Sequence, residues 1–323
     1  MEKLDLKDRK ILYQLDIDSR QSFRSIGRKV GLSKDVVASR VKKLKDSGVI
    51  KHFYTQVDSF KLGYICFRFY IVFRDAPKEK QDEIIDYFIK DKHITILASL
   101  KGEYDLVVVI YVKEMNEFFY LWRRTLNKYR DYFQQQIFST YNQQYAYRAS
   151  YLFEDDMEKT DRNKYEIITS GSIVKTDSLD FKILKILTSN ARIPTKDIAN
   201  KLNSTTKTIA DRIKKLTKMG VIQAYRVNID HSLLDYYLYK ANITLNKYNI
   251  RDDMIKYIKK NHHLILIDET AGFTDLELDF IVDSARQFHS IIDDLSIRFP
   301  NSIKNYNYFF LEEYLKFSYF PED

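Results

Sequence analysis

Two matched sets of short and cationic side chains are the residues of this chain best placed to do chemistry. The first is Ser33, Lys34, Asp35, Ala38, Ser39, Lys42 and Lys43, and the second is Thr205, Thr206, Lys207, Ala210, Asp211, Lys214 and Lys215. Each member of the second set stands 172 residues after its counterpart in the first. The spacing puts each set on one side of a helix. Alanine, serine and threonine are short, so such a helix can lie close to a partner surface while the lysines reach a polyanion such as a phosphate backbone. Six basic and two acidic residues fall between Ser33 and Lys51, and six basic and one acidic between Thr205 and Arg226. These two surpluses together exceed the formal +8 of the whole chain, so the remainder is near neutral. Charge concentrated in this way is the footprint of nucleic-acid binding.

The elements that must position these side chains occur twice. Residues 5–64 align with residues 177–236 without a gap, and about a third of the positions are identical. In the first copy, Ile11, Leu12 and Leu15 follow Asp8 at helical spacing, and Phe23, Ile26 and Val30 mark a second short helix. Gly31-Leu32-Ser33 then makes a turn, with Ser33 as the N-cap of a third helix whose Val37, Val41 and Leu44 face inward. That helix stops at Gly48. The second copy has Thr205 as N-cap, Ile209, Ile213 and Leu216 inward, and Asn203 in place of Gly31. Asparagine tolerates the left-handed turn nearly as well as glycine. Residues 49–57 alternate as a hairpin wing should, which places Lys51, His52 and Tyr54, with Tyr225 and Arg226, to touch a DNA backbone or minor groove. Arg40 and Arg212 sit beside the inward stripe and are read as structural, paired with Asp8 and Asp180.

Behind each helical front lies a βαββαβ segment. The first has strands at 65–73, 94–100, 106–112 and within 133–145, with helices at 78–90 and 115–129. The second has strands near 237–245, 264–269, 276–282 and 304–310, with helices near 252–260 and 284–299. This order predicts a ferredoxin-like sandwich with helices on one face of an antiparallel sheet. The fold class is therefore α+β, a tandem repeat of winged helix-turn-helix plus ferredoxin-like sandwich. The expected domains are 1–60, 61–152, 177–234 and 235–323. A polar linker at 153–176, carrying Glu154-Asp155-Asp156 and Ser170-Gly171-Ser172, joins the halves, with a short strand at 165–168.

Other functions find little in the sequence. One cysteine, Cys66, excludes a disulfide framework and fits a reducing cytoplasm. No run approaches the ~20 apolar residues of a membrane span, and the N-terminus has no apolar signal core. There is no glycine-rich phosphate loop and no Cys/His cluster with metal spacing, so no catalytic residue, metal or cofactor is expected. His262 and His263 adjoin and would point to opposite faces. Asp275, Glu277 and Asp279 alternate at period two and are read as an exposed sheet face.

Residues 4–58 closely resemble the DNA-binding module of the leucine-responsive/AsnC (Lrp/AsnC) regulators, and residues 177–230 resemble it more loosely. The sandwiches are similar to that family's amino-acid-sensing RAM domain. Its glycine-x-tyrosine-aspartate turn stands here as Gly102-Glu103-Tyr104-Asp105 and, without the tyrosine, as Gly272-Phe273-Thr274-Asp275. The resemblance implies a DNA-binding transcription regulator in the cytoplasm, with double-stranded DNA as partner. It also implies self-association through the sandwiches and a small effector such as an amino acid near Gly102, Tyr104, Asp105, Gly272 and Asp275. Typical members carry one module per subunit, and this chain carries two. Two further readings stay open. One is a tetrapyrrole enzyme like the siroheme decarboxylases, which resemble this family. The other is an effector sensor acting through protein contacts.

Overall fold

The computed structural model describes residues 4–153, 166–318 and 320–321. They fall into two compact units, neither continuous in sequence. The first unit runs to Leu62 and resumes over Ala146–Tyr236, and the second comprises Gly63–Tyr145 and the chain from Tyr237 onward. Like is thus pooled with like: both helical fronts form one unit and both sandwiches the other. The linker residues 154–165 lie outside the described residues, and the short strand expected there is β6, Ile167–Thr169.

In the helical unit the first copy supplies α1 (Leu6–Ile17), α2 (Phe23–Val30), α3 (Lys34–Asp46) and β1 (Ile50–Val57). The second supplies α6 (Ser178–Ser189), α7 (Thr195–Lys201), α8 (Thr206–Lys218) and β7 (Ile222–Ile229). Gly31 and Asn203 both adopt the left-handed conformation, at φ 69° and 49°. The apolar stripes close largely as the spacing predicts, with Ile11, Leu12, Leu15, Val37, Val41 and Leu44 buried in one copy and Ile183, Leu184, Leu187, Ile209 and Leu216 in the other, while Ile213 is only half-buried.

The expected hairpin wing is corrected. Each copy contributes a single strand, and β1 pairs antiparallel with β7 of the other copy. An unpaired strand edge needs a partner for its N–H and C=O groups, and the duplicate edge supplies one. Tyr54 faces Arg226 in this register, and these two are equivalent positions of the repeat. The centre of the pairing is therefore an internal two-fold axis. Reciprocal hydrogen bonds confirm it. Ser19 N donates to the Tyr225 carbonyl at 2.8 Å and Ala191 N to that of Phe53 at 2.9 Å. Asp58 N donates to Val221 O at 2.8 Å and Asp230 N to Val49 O at 2.9 Å. Arg20 donates to the Ala191 carbonyl at 2.8 Å, and Arg192 donates to that of Ser19. Arg20 also lies over the Tyr225 ring and Arg192 over the Phe53 ring, at 5.2 and 5.4 Å.

A buried ion pair breaks the symmetry. Arg226 donates to the buried carboxylate of Asp16 through Nε at 2.8 Å and Nη2 at 3.0 Å, and to the Tyr147 carbonyl at 2.9 Å. The equivalent positions hold Tyr54 and Thr188. Burial pushes the Asp16 carboxyl up, but the charges of Arg226 and Arg148 outweigh it and hold the group below its ordinary value.

The second unit is built of β2 (Ile65–Phe73), α4 (Lys78–Ile89), β3 (Ile94–Gly102), β4 (Leu106–Val112), α5 (Met115–Tyr129) and β5 (Phe133–Ala146). The second copy adds β8 (Tyr237–Leu245), α9 (Arg251–Ile258), β9 (Leu264–Gly272), β10 (Leu276–Val282), α10 (Ala285–Arg298) and β11 (Ile303–Phe317). The strand order is β3-β4-β2-β5 in one sandwich and β11-β8-β10-β9 in the other. β11 then pairs with β3, and β9 lies beside β5, so the eight strands close into a ring. The two sandwiches thus pair within one chain. Phe67, Phe69 and Ile71 pack under the helices with Ile84, Phe88, Phe118 and Leu121. The alternate residues Cys66, Arg68 and Tyr70 point to the opposite face, the interior of the ring, and are also buried.

That interior overturns the reading of the period-two carboxylates as an exposed face. Glu277 is fully buried, ion-paired with Arg68 and, at 3.3 Å, with Lys240. It also accepts from Tyr70 Oη and Ser139 Oγ, both at 2.9 Å. Asp268, equally buried, meets Arg68 at 2.6 Å and Lys240 at 3.3 Å, and Asp279 meets Lys240 at 2.5 Å. The face that water would cover in a lone sandwich is covered here by the other one, so its charges must pair.

Both seams of the ring require a glycine. A Cβ on Gly272 (φ 146°) would sit 2.8 Å from the Phe138 carbonyl oxygen, and one on Gly102 (φ 129°) 3.1 Å from the Phe309 Cα. Gly272→Ala should lower the free energy of unfolding by about 1–3 kcal/mol, and Gly102→Ala by less, in urea denaturation. Wild-type stability in the first variant would refute the close approach. Arg226→Met should cost about 3 kcal/mol at neutral pH by removing the main counter-charge of the buried Asp16. The pair contributes fully above the ordinary aspartate pKa of ~4 and is lost as pH falls through the lowered native value, so this cost should shrink on acidification. The double variant D16T/R226Y, which installs what the other copy carries, should recover only part of the loss in thermal denaturation, because it also removes the carboxylate facing the buried Arg148.

Candidate nucleic-acid interface

The third helix of each copy begins with a side-chain cap. Ser33 Oγ accepts from Val36 N at 3.3 Å, and Thr205 Oγ1 accepts from Thr208 N at 3.0 Å. Capping satisfies the first free N–H groups and fixes where the helix starts, and therefore which residues turn outward. In α3 those are Lys34, Asp35, Ser39, Lys42 and Lys43, all exposed, with Ala38 half-buried. In α8, Thr206, Lys207, Ala210, Asp211, Lys214 and Lys215 are all exposed. The two sets identified from sequence therefore do lie on the outer faces of their helices.

A clamp anchors each helix. Arg40 reaches Asp5 at 2.7 Å and Asp8 at 2.8 Å, and Arg212 reaches Asp177 at 2.5 Å and Asp180 at 3.0 Å. The hydrogen bond from Arg212 holds the Asp177 carboxyl below the usual carboxylate range. Asp5 and Asp177 also cap the first helices of their copies. One arginine thus ties the third helix to the start of the first, and it is spent on structure rather than on reading bases.

The expected wing contacts change with the loss of the hairpin. Arg226 is directed at Asp16 and Tyr147 and is withdrawn from the surface, which corrects its assignment to DNA. Lys51 is half-exposed and pairs with Asp230 at 2.9 Å. His52 packs edge-on against Tyr54 at 6.3 Å, and burial, followed by the charge of Lys51, lowers its pKa.

The residues that the RAM resemblance offered for an effector have structural duties in the ring. Asp105 accepts from Phe73 N and Asp275 from Leu245 N, both at 2.7 Å, so each carboxylate closes its turn onto the neighbouring strand. Tyr104 is buried, stacked on Tyr70 at 4.8 Å, and accepts from Asn307 Nδ2 at 3.0 Å. Gly102 and Gly272 lie against β11 and β5. These contacts account for the residue types without a ligand.

Sequence reasoning missed two features. Arg20 and Arg192 are the reciprocal ties across the internal axis, and their only sequence signal is recurrence at the offset of the repeat. Arg68 and Lys240 also stand at that offset, each a lone cation within an apolar strand.

Residues 4–45 match the AsnC-type helix-turn-helix domain, and residues 176–223 match a winged helix-turn-helix DNA-binding model. An uncharacterised HTH-type transcriptional regulator of Pyrococcus furiosus is 37% identical over 119 residues, which is 36% of this chain and 79% of that protein. The HTH-type transcriptional regulator LrpB of Bacillus subtilis is 29% identical over 123 residues, 38% of this chain and 82% of LrpB. Each relative therefore corresponds to about one of the two modules. Among solved structures, the siroheme decarboxylase NirDL superimposes with a TM-score of 0.62 at 12% identity, covering 96% of this chain and 92% of that one. At this identity the likeness is one of fold. With a matching DNA-binding module at each copy and regulators aligned over most of their length, the chain belongs to the Lrp/AsnC family of helix-turn-helix transcription regulators, in a tandem two-module form.

Proposed function

We propose that this protein is a sequence-specific regulator that binds double-stranded DNA through α3 and α8. The observation that carries the proposal is the pair of capped, exposed, lysine-bearing helix faces related by the internal two-fold axis. Lys42, Lys43, Lys214 and Lys215 neutralise phosphates. Ser33, Lys34, Asp35, Ala38 and Ser39, and their counterparts Thr205, Thr206, Lys207, Ala210 and Asp211, approach the base edges. Lys51 adds a contact to the DNA backbone by leaving Asp230, with which it is paired.

Two parts of the proposal rest on family resemblance. One is response to a small effector such as an amino acid, which calorimetric titration would test. The other is association of chains through the sandwiches, which sedimentation velocity would test. The fold shared with NirDL keeps a tetrapyrrole-enzyme reading as the alternative. Dense cationic third helices in both copies favour DNA, and a Soret band after incubation with siroheme would favour the enzyme.

Replacing Lys42, Lys43, Lys214 and Lys215 by alanine should flatten the dependence of log affinity on log salt by up to ~0.9 for each lost phosphate contact. Gel-shift titrations at several salt concentrations measure this, and an unchanged slope would show that these lysines do not touch DNA.

A further inference from the structure

We propose that one chain recognises one pseudo-palindromic operator with two unequal halves, α3 reading one half and α8 the other. This inference rests on the reading that both helices bind DNA, and it follows from how the repeat is assembled.

The reciprocal bonds across β1 and β7 relate the two copies by a two-fold axis. A two-fold rotation leaves height along its axis unchanged, so α3 and α8 stand at the same level on either side of it. Duplex DNA has a two-fold axis of its own between inverted half-sites. Aligning the two axes brings both helices to the same face of the duplex, one per half-site. A single chain therefore carries the arrangement that two identical subunits would otherwise have to provide.

Identical subunits present identical helices, and so favour identical half-sites. Here the outward residues agree at some positions and not at others. Ala38, Lys42 and Lys43 recur as Ala210, Lys214 and Lys215. The small residue and the two lysines keep approach and phosphate contact equivalent on both sides. Lys34, Asp35 and Ser39 become Thr206, Lys207 and Asp211, and all six are exposed. At the second of these positions the charge is reversed. A carboxylate accepts from cytosine N4 or adenine N6, whereas a lysine donates to guanine O6 and N7. The same place in the two half-sites therefore meets opposite chemistry. The two faces carry the same net charge across these three positions, so the difference lies in readout and not in overall attraction.

The test uses the full chain and a random duplex library. Selection should enrich two inverted half-sites, centred about 10 base pairs apart or a multiple of it, that differ at one or more base pairs. Symmetrised operators, with either half duplicated, should bind about tenfold more weakly per mismatched base pair in competition gel shifts. The variant K34T/D35K/S39D gives α3 the outward residues of α8 without changing net charge. It should now prefer the operator with the α8-type half duplicated over the operator that the wild-type chain selects. Selection of a perfect palindrome by the wild-type chain would overturn the inference, as would an unchanged operator preference in the variant. Failure to enrich any DNA would overturn the DNA-binding reading, and this inference with it.

Discussion

The antiparallel pairing of β1 with β7 is the constraint from which the helical unit follows. A two-stranded ribbon is marginal in water by itself, and here it is held because each strand also packs under a helix of the other copy. Thr55 of β1 donates through Oγ1 to the Leu187 carbonyl at the end of α6, at 2.8 Å. Arg226 of β7 binds Asp16 at the end of α1. Neither copy is complete without the other. The position of α3 relative to α8 is consequently set by main-chain hydrogen bonds and by the Arg20 and Arg192 ties, not by a flexible hinge.

The sandwiches obey the same logic with different chemistry. Their seam pairs β11 with β3 and brings a glycine turn from each copy within contact of the last strand of the other. Closing the ring buries a face that carries Arg68, Lys240, Asp268 and Glu277. Buried charges of this kind add little net stability, but removing one partner leaves the other uncompensated. They therefore act against a mispaired or separated sandwich more than they strengthen the correct one. Both cations come from equivalent positions, and both fully buried carboxylates come from the second copy. The network thus distinguishes the halves, as Arg226 and Asp16 do in the helical unit. In both units duplication supplied the frame, and divergence then placed asymmetric contacts at its centre.

Function follows from what this frame leaves exposed. The arginines most easily mistaken for base readers, Arg40 and Arg212, are turned back onto the N-terminal aspartates of their own copies. What remains outward is a set of short side chains flanked by lysines. That surface suits groove entry with phosphate neutralisation, which is the activity of the family to which the chain belongs.

The sequence alone determined the local order: helix caps, inward stripes, glycine and asparagine turns, the βαββαβ sequence and the outward lysines. These depend on periodicity and on residues a few positions apart, so they are legible in one dimension. Arg20 and Arg192, like Arg68 and Lys240, stand at the repeat offset, but nothing in one dimension says what they touch. Only the tertiary structure decided that the wings are single strands shared between copies, that Arg226 turns inward, and that Glu277 lies inside a closed ring. Each of these depends on a partner more than a hundred residues away. The alternation of a strand shows that it has two faces, but whether water or another strand layer covers the second face is settled only when the two copies meet.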